Sequence, residues 1–241
     1  MNRLLHAVRA CTGALALSMA MPSSASVVMN ATRYVYPADA KEISIKVSNT
    51  GKTPVLSQAW IDDGDASATP DAVNVPFNLT PPISRIETGK AQTYRLAFTE
   101  GELPQDIESL FWVNILEVPP KAREEKTSAM QLAFRYRLKL FYRPVGLQGS
   151  PEKAAESLAW SRDEKGALMV RNESAFHVAV NEIKAAAGGE EVELEPFSIG
   201  PRSSIAVPLG DATVRDGAAT IRYRTINDYG GFVEHHGKTT P

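Results

Sequence analysis

Residues Met130–Pro144 read MQLAFRYRLKLFYRP, and the order of side chains in this stretch decides the fold class. The even positions Met130, Leu132, Phe134, Tyr136, Leu138, Leu140 and Tyr142 are all apolar or aromatic. The odd positions are Gln131, Ala133, Arg135, Arg137, Lys139, Phe141 and Arg143, four of them cationic. Strict period-two alternation puts the two sets on opposite faces of a β-strand. At a rise of roughly 3.3 Å per residue such a strand exceeds ~40 Å, while ordinary strands run to about 5–6 residues. A strand of that length overhangs its own sheet or bridges two domains.

The surrounding chain supports an all-β reading. Ile43, Ile45 and Val47 alternate with polar residues and stop at Asn49-Thr50-Gly51. Val55–Ile61 forms a second strand, closed by Asp62-Asp63-Gly64-Asp65, a turn sequence without the ordered ligand positions of a calcium loop. Asp65–Pro82, rich in Pro, Asp, Ala and Thr, reads as loop. Tyr94, Leu96 and Phe98 alternate again. Leu110–Val118 is apolar at nearly every position, the pattern of a central strand buried on both faces, and Pro119-Pro120 ends it. After the Gly- and Pro-containing segment Val145–Ala155 the style repeats in Leu168–Val170, Val178–Ile183, Val192–Leu194, Ile205–Leu209 and Ala219–Ile226. No segment sustains a 3.6-residue period. Strands at this spacing, with turn residues between them, predict two β-sandwich domains, residues 26–147 and 148–241.

The first 25 residues stand apart. Arg3 and Arg9 precede an apolar run, Ala10–Met21, and small residues occupy the positions before a cut after Ala25. That is the layout of a cleavable signal peptide, and the run is too short to cross a bilayer. Cys11, the sole cysteine, leaves with it. Without Arg3 and Arg9 the chain carries 24 basic and 28 acidic residues, a net charge of −4. That balance argues against a nucleic-acid binder. An exported chain without cysteine must draw its stability from packed cores. The remaining histidines are His177, on an alternating strand, and His235-His236, which lie in a polar tail with no partnering metal-ligand spacing. With no nucleophile elbow and no Gly-rich phosphate loop, the reading is not an enzyme, and it calls for no cofactor, metal or catalytic residue.

Six stretches stand out in order along the chain: Thr32-Arg33, Gln58-Ala59-Trp60, Leu103-Pro104-Gln105-Asp106, Ser109–Pro120 (SLFWVNILEVPP), Lys139–Pro144 (KLFYRP) and Asn227-Asp228-Tyr229-Gly230-Gly231. Together they resemble one family, the periplasmic pilus (fimbrial) chaperones of the PapD type. Their order and spacing hold across nearly the whole chain after residue 26. The resemblance implies two immunoglobulin-like sandwiches in an L-shaped arrangement. It implies a periplasmic chaperone that binds and caps pilus subunits by donor-strand complementation and hands them to an outer-membrane usher. From periodicity alone, the apolar face of the long strand covers its own core. The resemblance instead assigns Met130, Leu132 and Phe134 to the groove of a subunit and leaves Tyr136–Tyr142 to intramolecular packing.

By the same resemblance, Arg33 and Lys139 bind the subunit's C-terminal carboxylate, and Glu108, Arg143 and Asp228 form an interdomain charge cluster. Arg135 and Arg137 are expected to be solvated cations. The short cysteine-free connection Lys121–Ser128 resembles the short-loop branch of the family, and Asn172-Glu173-Ser174-Ala175 lacks a proline common there. The free chaperone is expected to be able to cap its apolar strand with a second copy. The competing expectation is a secreted immunoglobulin-like adhesion or structural module without chaperone activity.

Overall fold

In a computed structural model, which describes residues 26–99, 101–121, 131–208 and 217–239, the chain forms two immunoglobulin-like β-sandwiches. The first contains β1 (Val27–Met29), β2 (Arg33–Pro37), β3 (Ile43–Asn49), β4 (Val55–Asp62), β5 (Phe77–Thr80), β6 (Ile83–Ile86), β7 (Ala91–Phe98), β8 (Ser109–Val118) and β9 (Phe134–Arg143). One sheet has the order β1-β3-β7-β5, the other β2-β9-β8-β4-β6. Alternation selects the inner faces: Ile45 and Val47 from β3, Tyr94 and Leu96 from β7, and Val113 and Ile115 from β8 are fully buried between the sheets. The buried Tyr36 is satisfied there, donating to the Ala40 carbonyl and accepting from the Phe98 amide.

A short helix, α1 (Pro151–Glu156), capped by the Ser150 side chain, leads into the second sandwich. Its strands are β10 (Ala159–Arg162), β11 (Leu168–Asn172), β12 (Val178–Ala187), β13 (Glu190–Leu194), β14 (Phe197–Ile199), β15 (Ser203–Ala206), β16 (Thr220–Ile226) and β17 (Phe232–Lys238). They form the sheets β10-β11-β15 and β13-β12-β16-β17, with β14 also on β12. Val170, Ile183, Ile199, Ile221 and Tyr223 fill the core. Ile107 of the first domain and Leu147 of the connection also pack against it, so the two bodies meet through apolar contact.

Three local expectations change. Residues 65–82 are not all loop, because Phe77 and Leu79 turn inward and pair as β5 with β7. Two inward residues are too few to show as a period. The core-facing side of β8 is apolar, but its other side carries Asn114, which is buried beneath arginine side chains rather than in an apolar layer. The predicted Ile205–Leu209 strand closes at Ala206, and Leu209 lies outside the described residues.

Candidate functional site

The regular part of the long strand is shorter than its alternation suggests. β9 begins at Phe134, and Gln131–Ala133 extend beyond it without strand pairing. The cause is the neighbour: β8 pairs with β9 only as far as Glu117↔Phe134, so no ladder exists for earlier residues. Met130 lies outside the described residues. Leu132 and Phe134 are 56 % and 45 % exposed, well above the other apolar side chains of β9. On the same face Tyr136 and Leu138 lean on the first core, and Leu140 and Tyr142 lie inside it.

The other side of β9 is only half paired. β2 runs parallel to it from Arg33↔Lys139 to Pro37↔Arg143 and covers none of β9 before Lys139, because the chain before Arg33 crosses to the opposite sheet as β1, paired with β3. Among the described residues nothing pairs with this side of β9 from Phe134 to Leu138, which presents an open sheet edge. An open edge is a template for another strand.

That edge ends at two cations. Arg33 is buried, and its Nη1 donates to the Ile226 carbonyl of β16 at 2.8 Å. Its Nε is buried with no hydrogen-bond partner among the described residues. Beside it, the Lys139 ammonium donates to the Ser198 hydroxyl of β14. Burial and then the Arg33 charge push the Lys139 pKa down to about 8. Burial likewise lowers Arg33, opposed by the charge of Asp228. Both cations open on a cleft whose walls include Arg137, Asn181, Phe197 and Ile226, with no acidic residue among the described residues that line it. Two adjacent desolvated cations without a carboxylate form a site for an anion.

The interdomain residues Glu108, Arg143 and Asp228 come together. Arg143 donates from Nε to Glu108 at 2.6 Å and from Nη1 and Nη2 to Asp228 at 2.7 and 3.2 Å. Burial opposes the Arg143 charge, but its bonds to Asp228 and Glu108 outweigh it and raise the pKa. Glu108 is almost fully buried and also accepts from the His177 amide at 2.8 Å, so it joins the two domains at the residues just before β8 and β12. A second pair across the junction, Asp106 with Arg202, was not legible in the sequence. The Asn227–Gly231 turn sits against Thr32: a Cβ on Gly230, at φ +82°, would lie 2.5 Å from Thr32 Oγ1. Only glycine permits that approach.

Arg135 and Arg137 are not solvated cations. Arg137 grips Asp62, whose side chain is wholly buried, through Nε at 2.9 Å and Nη2 at 2.5 Å. Arg135 donates to Asn114 and the Ala66 carbonyl. Their guanidinium groups cover Trp60 and Trp112 at 4.7 and 4.4 Å. The sheet's outer face thus takes up both arginines and leaves Lys139 to the cleft. His235 is not in a polar tail either. It lies in β17, 7 % exposed, bonded to Thr225 and stacked on Tyr223, and burial lowers its pKa.

Comparison with known proteins gives a consistent picture. Residues 26–148 match the family model of the pili and flagellar-assembly chaperone PapD N-terminal domain, and residues 153–237 that of the pili assembly chaperone PapD C-terminal domain. The chain is 44 % identical over 229 residues to the chaperone protein FimB/FhaD of Bordetella pertussis, covering 93 % of this chain and 92 % of that one. It is 37 % identical to the probable fimbrial chaperone YadV of Escherichia coli, covering 92 % and 93 % of the two chains. The YadV crystal structure superposes with a TM-score of 0.77 at 36 % identity, over 89 % of this chain and all of that one. The SafB chaperone, solved in complex with the Salmonella enterica SafA pilin, gives 0.75 at 28 % identity over 90 % and 98 %.

Proposed function

The chain belongs to the PapD family of pilus-assembly chaperones, and on that premise we propose that it holds pilus subunits by lending them the free edge of β9. It is a pilus chaperone, and its partners are pilus subunits and, as for the family, an outer-membrane usher. One observation carries the finer reading: the unpaired edge Phe134–Leu138 leads directly to Arg33 and Lys139, two cations with no carboxylate in their cleft.

This reading implies a direction. A guest strand that fills this edge and places its C-terminal carboxylate at Lys139 must run the same way as β9. It then lies in line with β2 and meets it at Arg33. Main-chain hydrogen bonds supply affinity that does not depend on guest sequence, and side chains supply the rest. Leu132 and Phe134 enter the guest's core, each contributing roughly 1.5–3 kcal/mol on burial. Met130 extends the same apolar row by sequence. A carboxylate clamped at one end also sets register, since a one-residue slip would reverse the faces.

The family is periplasmic, and the export reading places the mature start at Ser26, after cleavage behind Ala25. No step of this function requires catalysis. When no guest is present, the same edge and apolar row are open to a second copy of the chain. The adhesion-module reading gives no role to an edge that ends on paired cations. In periplasmic co-purification with a pilin of its own fibre system, Arg33→Ala and Lys139→Glu should lose the subunit while melting as folded proteins. Full recovery of the subunit with Lys139→Glu would contradict the assignment.

A further inference from the structure

Glu117, near the end of β8, has a buried carboxylate, only 3 % exposed. Its acceptor positions are taken by neutral groups: the Ser26 hydroxyl, the Val27 amide and, at 3.4 Å, the Tyr136 hydroxyl. No cation contributes to its environment among the described residues, and burial raises its pKa. A buried carboxylate without a positive partner carries a large desolvation cost.

Ser26 is held at that carboxylate by the fold. Its carbonyl accepts from the Thr50 amide at 2.7 Å, and the next residue, Val27, pairs with Asn49. Gly51 lies so close that a Cβ there would come within 2.5 Å of the Ser26 Cβ. The neighbouring chain is built to admit this residue. We infer that Glu117 is the seat of the mature chain's N-terminal ammonium, so that leader removal supplies the buried carboxylate with its missing cation.

The inference rests on cleavage after Ala25. Water attacks the Ala25 carbonyl, the C–N bond breaks, Ala25 leaves as a carboxylate, and Ser26 keeps an amine that takes up a proton near neutral pH. That nitrogen and the hydroxyl already touching Glu117 belong to one residue, joined through Cα and Cβ, so the ammonium reaches the carboxylate without a rearrangement of β1. In the precursor the same nitrogen is a neutral amide. Glu117 pairs with Phe134 in the sheet, and Tyr136 shares its carboxylate. Processing therefore completes the corner of the sandwich from which the donor edge emerges.

The test compares two chains released from a fusion partner, one beginning at Ser26 and one carrying Gly-Gly before it, each with and without Glu117→Gln. The Ser26 form should melt several degrees above the extended form, and Glu117→Gln should erase that difference. Equal melting of the two parent chains, or a difference that survives Glu117→Gln, would overturn the pairing. If Glu117→Gln does not fold, acetylation of the Ser26 amine should lower the melting temperature by a similar amount, and no change would overturn the pairing. The intact mass of the exported protein reads the cleavage site separately. A first residue other than Ser26 would refute the cleavage, whereas the melting comparison judges the pairing.

Discussion

Lys139 and Arg33 give up solvent beside each other, and among the described residues only the Asp228 charge, acting on Arg33, opposes the cost. The lysine shows the consequence most directly, because its pKa falls to about 8 from an ordinary 10.5. A cation with a lowered folded pKa binds its proton less tightly than the unfolded chain does. Stability should therefore rise as the pH climbs from about 8 toward 10.5, and below pH 8 the charge is a constant burden. Lys139→Met removes it, so this variant should melt a few degrees higher at pH 7 while failing to bind subunit. A bound carboxylate restores the lysine's proton affinity. Subunit affinity should thus be flat below pH 8 and fall by up to about tenfold per pH unit above it, read by titration calorimetry at pH 7 and 9. A lower melting temperature for Lys139→Met, or unchanged affinity at pH 9, would show that Lys139 is not the poised cation. The residue types at this site were legible from the family resemblance. Which cations are free was not: Arg137 finds Asp62 75 residues earlier in the chain, and no local pattern reports that partner.

At the scale of the element, β9 owes its role to where its neighbours stop. Alternation correctly separated its two faces, and Leu140 and Tyr142 are buried while Arg137 and Lys139 lie opposite. The extent of the ladder could not be read that way, because pairing depends on β8 ending near Glu117 and on β2 starting at Arg33. The same limit hid β5, whose inward pair Phe77 and Leu79 is recognisable only against β7. Phe134 is the exposed apolar residue nearest the ladder's end, so it can be changed without opening the first core. Phe134→Asp should leave the melting temperature within about a degree of the parent. It should weaken subunit binding at least tenfold, since a carboxylate would replace an apolar side chain worth roughly 1.5–3 kcal/mol on burial. A large loss of stability with unchanged affinity would place Phe134 in the protein's own core instead.

Across the whole molecule, the proposed anchor depends on both sandwiches. Arg33 is oriented by the Ile226 carbonyl and Lys139 by the Ser198 hydroxyl, both from the second domain. Arg143 holds that domain directly through Asp228, Glu108 links Arg143 to the His177 amide, and Arg202 adds its contact with Asp106. Arg143→Ala leaves the buried Glu108 without its cation, a loss of about 3 kcal/mol for a pair of this kind. Small-angle scattering of this variant should show a broader distribution of shapes, and subunit affinity should fall although neither Arg33 nor Lys139 has changed. An unaltered scattering profile with full affinity would reduce the cluster to surface decoration.

The direction of the borrowed strand is the sharpest consequence of the account, and a chain whose only cysteine is Cys11 suits disulfide trapping. Single cysteines placed by Phe134→Cys and Tyr136→Cys can be tested against cysteines along the final strand of a bound pilin. A two-residue step toward the C-terminus of β9 should move the best crosslink two residues toward the C-terminus of the subunit, the mark of parallel pairing that ends at Arg33 and Lys139. Crosslinks that move the opposite way, or none at these edge positions in a purified complex, would contradict the lending of β9.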